Sequence, residues 1–257
     1  MRIALNQFAA SLDAESNLRQ ICADIERAAE LGVHLLVLPE AAISPFGGQL
    51  HPSLELPVLR DCARHHGVTV VYGAFRPAHD GRLHNTLVAI SPNDVVTYDK
   101  IHTFEGFGYK ESASIMPGTK PAVFRMTVGG ESHLIGLSTC YDIRFPELYV
   151  KLGQMGVSAI ICAASWADGP GKARQWDALT QARALDATSF IIAVDQARPE
   201  VPRKGPTGIG RSAVIAPDGE VLVRMDEKPG LVPVEVDLNY VATVREQLPV
   251  LLSRPLM

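Results

Sequence analysis

The residue best suited to covalent chemistry in this chain is Cys140, which ends an apolar, strand-like run that begins at Leu134. A sheet would hold such a strand end in place, and the polar turn after it would leave backbone N–H groups free to face an oxyanion. The N–H of Tyr141 would be the first of these donors. A lone cysteine is more often a small buried hydrophobic residue, so Cys140 needs partners before it predicts a nucleophile.

Two ionisable residues end apolar runs upstream of this cysteine. Glu40 closes the run LLVLPE, and Lys100 closes the run VVTYDK. A nucleophile, a carboxylate and a cation at three strand ends predict one rim where the three side chains meet. A second hypothesis pairs the thiol with a histidine, either His102 or His133, as in cysteine–histidine catalysis.

Composition restricts the class of protein. The 257 residues are 47% hydrophobic and 20% charged, which is typical of a globular chain, and no linker divides residues 1–257 into two domains. The net charge of −4 and the scattered arginines argue against a nucleic-acid partner, which needs a basic face. No apolar stretch has the length of a membrane span or the form of a signal peptide, so no membrane partner is predicted.

The cysteines and glycines predict neither a metal nor a cofactor. The four cysteines include no CxxC pair and no zinc-type spacing, and they are too few for a disulfide scaffold, which predicts a reduced, cytoplasmic protein. Gly205, Gly208 and Gly210 lack the strand–turn–helix context of a dinucleotide site and indicate a loop that enters a strand.

The elements that must position these residues alternate between helices and apolar strands, which is the pattern of an α/β protein whose strands are covered on both faces. Two predicted hairpins add antiparallel pairs, so the sheets are expected to be mixed. From about residue 240, Pro249 and Pro255 and the lack of a clean period predict an extended tail that needs a partner surface. The predicted helices are 13–31, 57–66, 146–155 and 173–186. The predicted strands are 2–9, 33–38, 68–75, 157–165 and 190–195, with hairpins at 83–91 with 95–99 and at 212–216 with 221–225.

At this point the chain resembles the nitrilase superfamily of carbon–nitrogen hydrolases, and the resemblance covers nearly its whole length. Four motifs in the right order carry it: LVLPE ending in Glu40, YDKIH containing Lys100, YKES containing Glu111 and STCYDIRFPEL containing Cys140. The resemblance implies a four-layer α-β-β-α sandwich that forms a homodimer or a higher homo-oligomer by stacking sheets. It also implies a Glu–Lys–Cys catalytic triad.

The resemblance assigns a role to each matched residue. Glu40 acts as the general base, and Cys140 attacks an amide carbon to form a thioester. Lys100 and the Tyr141 N–H stabilise the oxyanion. Glu111 matches a second carboxylate of the family that orients the lysine or the substrate.

The residues after the cysteine resemble those of the Nit-type amidases, which include omega-amidases and deaminated-glutathione amidases. Their substrates are small carboxylated amides, so a cationic group is expected in the pocket. Arg144 is one candidate, although an arginine at a helix start could instead form a buried ion pair with Glu147 or Asp142. Lys172 and Arg174 are the alternative carboxylate binders.

Two departures from the Nit pattern concern the shape of the pocket. The segment between Lys100 and Glu111 is shorter than in typical Nit proteins, which predicts a wider mouth. Trp166 either narrows the acyl pocket or belongs to the core.

Other functions compatible with this sequence are a carbamoylase or nitrilase of the same superfamily and a catalytically silent member that binds a metabolite or a protein partner.

Overall fold

A computed structural model of the chain describes residues 1–45, 57–92, 94–106, 108–199 and 207–253. Asn93 in the turn of the first predicted hairpin, Phe107 in the short loop, Gly205, and residues 254–257 of the predicted tail therefore lie outside the described residues. The helices are α1 (Ala14–Glu30), α2 (Pro57–His66), α3 (Pro146–Gln154), α4 (Lys172–Ala187) and α5 (Tyr240–Gln247). The strands are β1 (Arg2–Gln7), β2 (Leu35–Val37), β3 (Thr69–Pro77), β4 (Leu83–Ile90), β5 (Val95–Asp99), β6 (Glu105–Gly106), β7 (Tyr109–Lys110), β8 (Ala122–Val128), β9 (Glu131–Thr139), β10 (Ala159–Ala164), β11 (Phe190–Asp195), β12 (Ala213–Ile215), β13 (Val221–Arg224) and β14 (Gly230–Glu235).

The described strands form two mixed six-stranded sheets and the small β6–β7 pair. The first sheet has the order β14-β1-β2-β3-β4-β5, with β1, β2 and β3 parallel and the other pairs antiparallel. The second has the order β13-β12-β11-β10-β9-β8, with β9, β10 and β11 parallel and the other pairs antiparallel. Parallel strands whose carboxyl ends meet at one edge place the residues that follow them close together, and Glu40, Cys140 and Ser165 all follow such strands.

Side-chain alternation along the strands divides the core into layers. In β2, Leu36 packs with the apolar residues of α1 and α2, whereas Leu35 and Val37 face the cluster that includes the second sheet. Helices α3 and α4 cover the other face of the second sheet and contribute Leu152 and Trp176 to that cluster. The expected four-layer α-β-β-α sandwich is therefore confirmed. Strands with a partner layer on each face have no polar side, which explains the near-continuous apolar runs of the sequence.

Both predicted hairpins are confirmed as antiparallel pairs, β4 with β5 and β12 with β13. Sequence patterns did not reveal β8 or β14. Both are edge strands, and β14 carries Pro233, whose missing N–H is tolerated at an edge.

The prediction of an extended tail from about residue 240 is wrong over its first part, since α5 is helical. Pro249 and Pro255 lie beyond the helix and do not prevent it, because proline disrupts only the residues at and just before it. Val241 and Val244 are buried one turn apart, and the Arg245 guanidinium donates to the carbonyl oxygen of Val157 at 2.8 Å. Tertiary contacts thus stabilise a helix of only eight residues.

Candidate active site

Cys140 lies at the junction between β9 and a short 3₁₀ helix that spans Cys140–Arg144. Its backbone has a φ of +47°, a left-handed conformation that is strained for a residue other than glycine. Asp142 maintains this turn, because its carboxylate accepts hydrogen bonds from Thr139 N at 2.9 Å and from the Tyr98 hydroxyl at 2.7 Å. The turn therefore places Cys140 at the strand end, where the sequence predicts a nucleophile, and the residue lines the cavity described below.

Glu40 follows β2 and is 1% exposed. Its Oε1 accepts hydrogen bonds from Asn85 Nδ2 at 2.6 Å and from Lys100 Nζ at 3.2 Å, and its Oε2 accepts from Ser165 N at 2.7 Å. Gly73 on β3 packs directly against the main chain of Glu40, since a Cβ at this position would lie 2.4 Å from Ala41 N. The close packing requires glycine at that position and fixes the main chain that carries the carboxylate.

Lys100 follows β5 and is 2% exposed. Its ammonium lies between two carboxylates, 3.2 Å from Glu40 Oε1 and 2.9 Å from Glu111 Oε2. The main chain is equally constrained, because Lys100 N donates to Asn85 O and its own carbonyl oxygen accepts from Gly118 N, both at 2.8 Å. A buried ammonium with two buried anions satisfies the requirement that interior charges be paired.

Glu111 opens a 3₁₀ helix directly after the β6–β7 hairpin and is 1% exposed. Besides both contacts to the lysine, its Oε2 accepts a 2.6 Å hydrogen bond from Phe104 N. This carboxylate therefore joins the lysine to the segment that precedes the hairpin, so the two ends of the short loop are held together.

Burial and neighbouring charges have competing effects on the pKa values of Lys100 and Cys140. Burial lowers the pKa of the Lys100 ammonium, but Glu40, Cys140 and Glu111 raise it, and the net pKa lies above that of an ordinary lysine. Burial raises the pKa of the Cys140 thiol well above its usual value, and Glu40 adds to this while Lys100 opposes it. These shifts favour the charged form of the lysine and the protonated form of the thiol.

A cavity of about 480 Å³ opens over these residues. Phe104, Tyr109, Tyr141 and Trp166 give it aromatic walls, and the four charged or nucleophilic side chains lie in its lining. An apolar cavity with a few convergent polar groups is the usual form of a small-molecule site. Its lining is Glu40, Lys100, Phe104, Gly106, Tyr109, Glu111, Cys140, Tyr141, Arg144, Ser165, Trp166, Ala167, Asp168, Gly169, Pro170 and Lys172.

The structure separates the three cationic candidates. Arg144 lines the cavity, hydrogen-bonds Gln175 Oε1 at 2.7 Å and lies 5.0 Å from the centre of the Trp166 ring. Among the described residues it forms no ion pair with Glu147 or Asp142. Lys172 also lines the cavity, with Nζ 5.4 Å from the same ring, whereas Arg174 is exposed and outside the lining.

The sequence left open whether Trp166 lines the pocket or belongs to the core. In the structure it does both, because it is 3% exposed and also forms part of the cavity wall. Its ring nitrogen donates to Lys172 O at 3.1 Å, and its backbone N–H donates to Asp195 Oδ1 at 2.8 Å. It also packs 5.2 Å from Trp176, centre to centre. The indole is therefore fixed from two sides and presents a rigid face to the cavity.

The two histidines are engaged elsewhere. His102 Nδ1 lies 2.7 Å from Asp142 Oδ1, and its ring stacks 3.7 Å from that of Phe145. His133 lies in the first half of β9, roughly 20 Å along the strand from Cys140 at about 3.3 Å per residue. Glu40 and Lys100 both act on the Cys140 thiol and line the same cavity, so the arrangement favours the Glu–Lys–Cys hypothesis over cysteine–histidine pairing.

Three residues of the site were not predicted from the sequence: Asn85, Ser165 and Asp195. Asn85 lies in the polar first half of β4, between His84 and Thr86, and contacts both carboxylates. Ser165 acts through its backbone, which carries no signal in the sequence. Asp195 closes the apolar run FIIAVD just as Glu40 closes LLVLPE, so the same criterion would have found it.

Comparison with known proteins identifies the class to which this fold and site belong. A family model described as carbon–nitrogen hydrolase matches residues 2–246. The deaminated glutathione amidase of Escherichia coli O157:H7 is 34% identical over 265 residues, covering 99% of this chain and 97% of the relative. The chain therefore belongs to the carbon–nitrogen hydrolase family, in agreement with the Nit-type resemblance of its motifs.

Two further relatives extend this comparison. A hydrolase of Mycobacterium tuberculosis is 40% identical over 269 residues, covering 98% of this chain and 94% of the relative. Among solved structures, an amidase from Nesterenkonia sp. AN1 superposes with a TM-score of 0.76 and 25% identity, covering 97% of this chain and 98% of that one. That structure shows acrylamide added to the active-site cysteine of the Nesterenkonia enzyme.

None of the helices in the described ranges combines the length and the apolar character needed to cross a bilayer.

Proposed function

We propose that this protein hydrolyses a small carboxylated amide to an acid and ammonia through a thioester on Cys140. The observation that carries the proposal is the convergence of the Cys140 thiol, the Glu40 carboxylate and the Lys100 ammonium in one largely apolar cavity. Such a set combines a nucleophile, a base within reach of it and a fixed positive charge.

In the first half-reaction, Glu40 removes the thiol proton and the sulfur attacks the amide carbon. The carbonyl oxygen becomes an oxyanion, which Lys100 Nζ and Tyr141 N–H stabilise. Glu40 then gives its proton to the amide nitrogen, the C–N bond breaks, and ammonia leaves. The acyl group remains on the sulfur as a thioester.

In the second half-reaction, water attacks the thioester carbon while Glu40 accepts one of its protons. The C–S bond breaks as the tetrahedral intermediate collapses. The proton on Glu40 returns to the sulfur, and the carboxylic acid is released. Glu111 holds Lys100 in place throughout, because it contacts the ammonium with both oxygens.

The cavity also supports the choice of substrate class. Arg144 and Lys172 place two cationic groups around the Trp166 ring in the wall of the cavity. A carboxylate at the far end of a short acyl chain would meet them, while the chain itself would lie against the aromatic walls. The E. coli relative is named as an amidase of deaminated glutathione, which is also a carboxylated amide.

The test is ammonia release from a panel of purified amides at fixed enzyme concentration. The panel contains omega-amides of keto and dicarboxylic acids, deaminated glutathione, an N-carbamoyl amino acid and a simple nitrile. Turnover of a carboxylated amide, together with a thioester mass adduct that Cys140→Ala lacks, is the expected result. Selective turnover of the carbamoyl compound or of the nitrile would contradict the proposal and indicate a carbamoylase or a nitrilase. A protein that hydrolyses none of these compounds and has no reactive cysteine would instead be a catalytically silent binding protein.

Two properties accompany this proposal. The reaction is expected in the cytoplasm, because Cys140 is a free cysteine and must stay reduced to act.

The enzyme is expected to be a homodimer or a higher homo-oligomer. Leu248 and Leu252, after α5, are 59% and 88% exposed, and a second copy of the chain would cover them.

A further inference from the structure

Asn85 is a buried residue whose side-chain amide contacts both catalytic-site carboxylates, Glu40 and Glu111, and it lies outside the predicted triad. It belongs to β4 and is 1% exposed. Its Nδ2 lies 2.6 Å from Glu40 Oε1 and 3.4 Å from Glu111 Oε1. An amide NH₂ group has two hydrogens, so each carboxylate can receive one of them.

The orientation of this amide follows from its neighbours. Carboxylate oxygens only accept hydrogen bonds when ionised, so the NH₂ group and not the carbonyl oxygen must face them. Among the described residues, no donor reaches Asn85 Oδ1. The backbone makes a separate contact, because Asn85 O accepts from Lys100 N at 2.8 Å. A change of the side chain therefore leaves the main-chain support of the lysine in place.

The charges in the site explain why these two hydrogens matter. Two buried carboxylates share a single ammonium, and each has its second oxygen bonded to a backbone N–H, Ser165 N for Glu40 and Phe104 N for Glu111. Lys100 alone leaves one excess negative charge in a buried space. Without a further donor, the pair would take up a proton more readily, and a protonated Glu40 could not deprotonate the thiol.

We propose that Asn85 is a positioning residue that keeps the Glu40–Glu111 pair ionised and so keeps Glu40 competent as the base for Cys140. The proposal rests on the proposed function for the role of Glu40, but it concerns the reactivity of the thiol and not the identity of the substrate. The other titratable groups that act on the pair are Lys100, Cys140, Tyr109, Asp195 and Cys162.

The experiment measures the alkylation rate of Cys140 by iodoacetamide from pH 4.5 to 9, with mass spectrometry to identify the modified residue. The acidic limb of the profile reports proton uptake by the carboxylate pair. Asn85→Leu removes both hydrogens and keeps the number and branching of the side-chain heavy atoms, and Asn85→Asp replaces the amide with a third carboxylate. Loss of a hydrogen bond to a charged group is worth about one pH unit or more, so the limb should move up by at least about one unit in Asn85→Leu and further in Asn85→Asp.

Asn6→Leu is the matched control. Asn6 is also buried and donates from Nδ2 to a carboxylate, Asp24 Oδ2 at 2.8 Å, but it lies on β1 under α1 and away from the cavity. It should lose comparable stability and keep the wild-type limb. Thermal melts select the variants that fold, and Asn85→Ser takes the place of Asn85→Leu if the latter does not.

An acidic limb that stays at the wild-type pH in the folded Asn85 variants would overturn the proposal, and so would an equal shift in Asn6→Leu. The two hypotheses fail separately. A shifted limb in an enzyme that hydrolyses no amide would retain the role of Asn85 and remove the proposed function. Amide hydrolysis with an unshifted limb would do the reverse.

Discussion

The backbone N–H of Ser165 donates a 2.7 Å hydrogen bond to Glu40 Oε2 across 125 residues of sequence. Ser165 follows β10 of the second sheet, whereas Glu40 follows β2 of the first. The carbonyl oxygen of the same serine lies 3.9 Å from Cys140 Sγ, so one residue contacts both the proposed nucleophile and its proposed base. Packing of the two sheets therefore sets the relative position of these two groups.

Replacing the proposed nucleophile should abolish catalysis without unfolding the protein. Cys140→Ala removes only the sulfur, and alanine meets the same strain at a φ of +47°. We expect ammonia release to fall by more than about 10³-fold, as for other members of a catalytic triad. Cys162→Ala is the control, because Cys162 is buried in β10 outside the cavity lining and its loss should affect stability but not turnover. More than trace activity in Cys140→Ala would exclude the covalent mechanism.

The base and the cation should behave as one unit. Glu40→Gln and Lys100→Met should each lower kcat by about 10³-fold or more, and the double variant should be little worse than either single one. Lys100→Met also leaves two buried carboxylates without their cation, which should cost about 3–5 kcal/mol of unfolding free energy. Kinetics and urea unfolding on the same samples check both expectations. A double variant whose defect equals the product of the two single defects would show that the residues act independently.

The raised pKa of the Cys140 thiol predicts how stability depends on pH. The folded protein holds this proton to higher pH than the unfolded chain, whose thiol titrates near the ordinary value of about 8.5. The contribution is thus fully present below pH 8 and declines as the pH rises above about 8.5. Unfolding free energies at pH 7, 8.5 and 10 should therefore fall less steeply for Cys140→Ala than for the wild type. Parallel curves for the two proteins would contradict the prediction.

Selectivity for a carboxylated substrate should depend on the two cations in the cavity wall. A charge-assisted contact is worth about 1.5–3 kcal/mol, so Arg144→Gln or Lys172→Gln should lower kcat/KM for the carboxylated amide by one to two powers of ten. The uncharged analogue should be affected little. Arg174→Gln is the matched control, since Arg174 is exposed outside the cavity lining. Equal losses on both substrates would assign these cations a structural role.

The apolar end of the chain should contribute to self-association. Truncation after Leu238 would also remove the buried Val241 and Val244, so substitutions at exposed positions give the clearer test. Leu248→Glu with Leu252→Glu should shift the sedimentation coefficient toward that of a monomer. Leu12→Glu, at a 56% exposed position before α1, serves as the control. If the double variant keeps the wild-type oligomeric state, the prediction is wrong and another surface mediates self-association.

The convergence of Glu40, Lys100 and Cys140 was predictable because each of them occupies a recognisable place in the sequence pattern. Glu40 and Lys100 end apolar runs, and Cys140 ends the apolar run from Leu134. A strand that is buried on both faces allows few polar residues, so a charge where it ends is conspicuous. The same regularity predicted most helices, both hairpins and the mixed sheets.

Other features depended on contacts between distant segments. The sequence does not indicate that the Asn85 amide would donate to two carboxylates, or that the backbone N–H of Ser165, after β10 of the second sheet, would donate to Glu40. Arg144 and Arg174 are equally plausible carboxylate binders in the sequence, yet only Arg144 lines the cavity. Local patterns determine which residues are buried and which end a strand, whereas the packing of the two sheets against each other decides which of these residues meet.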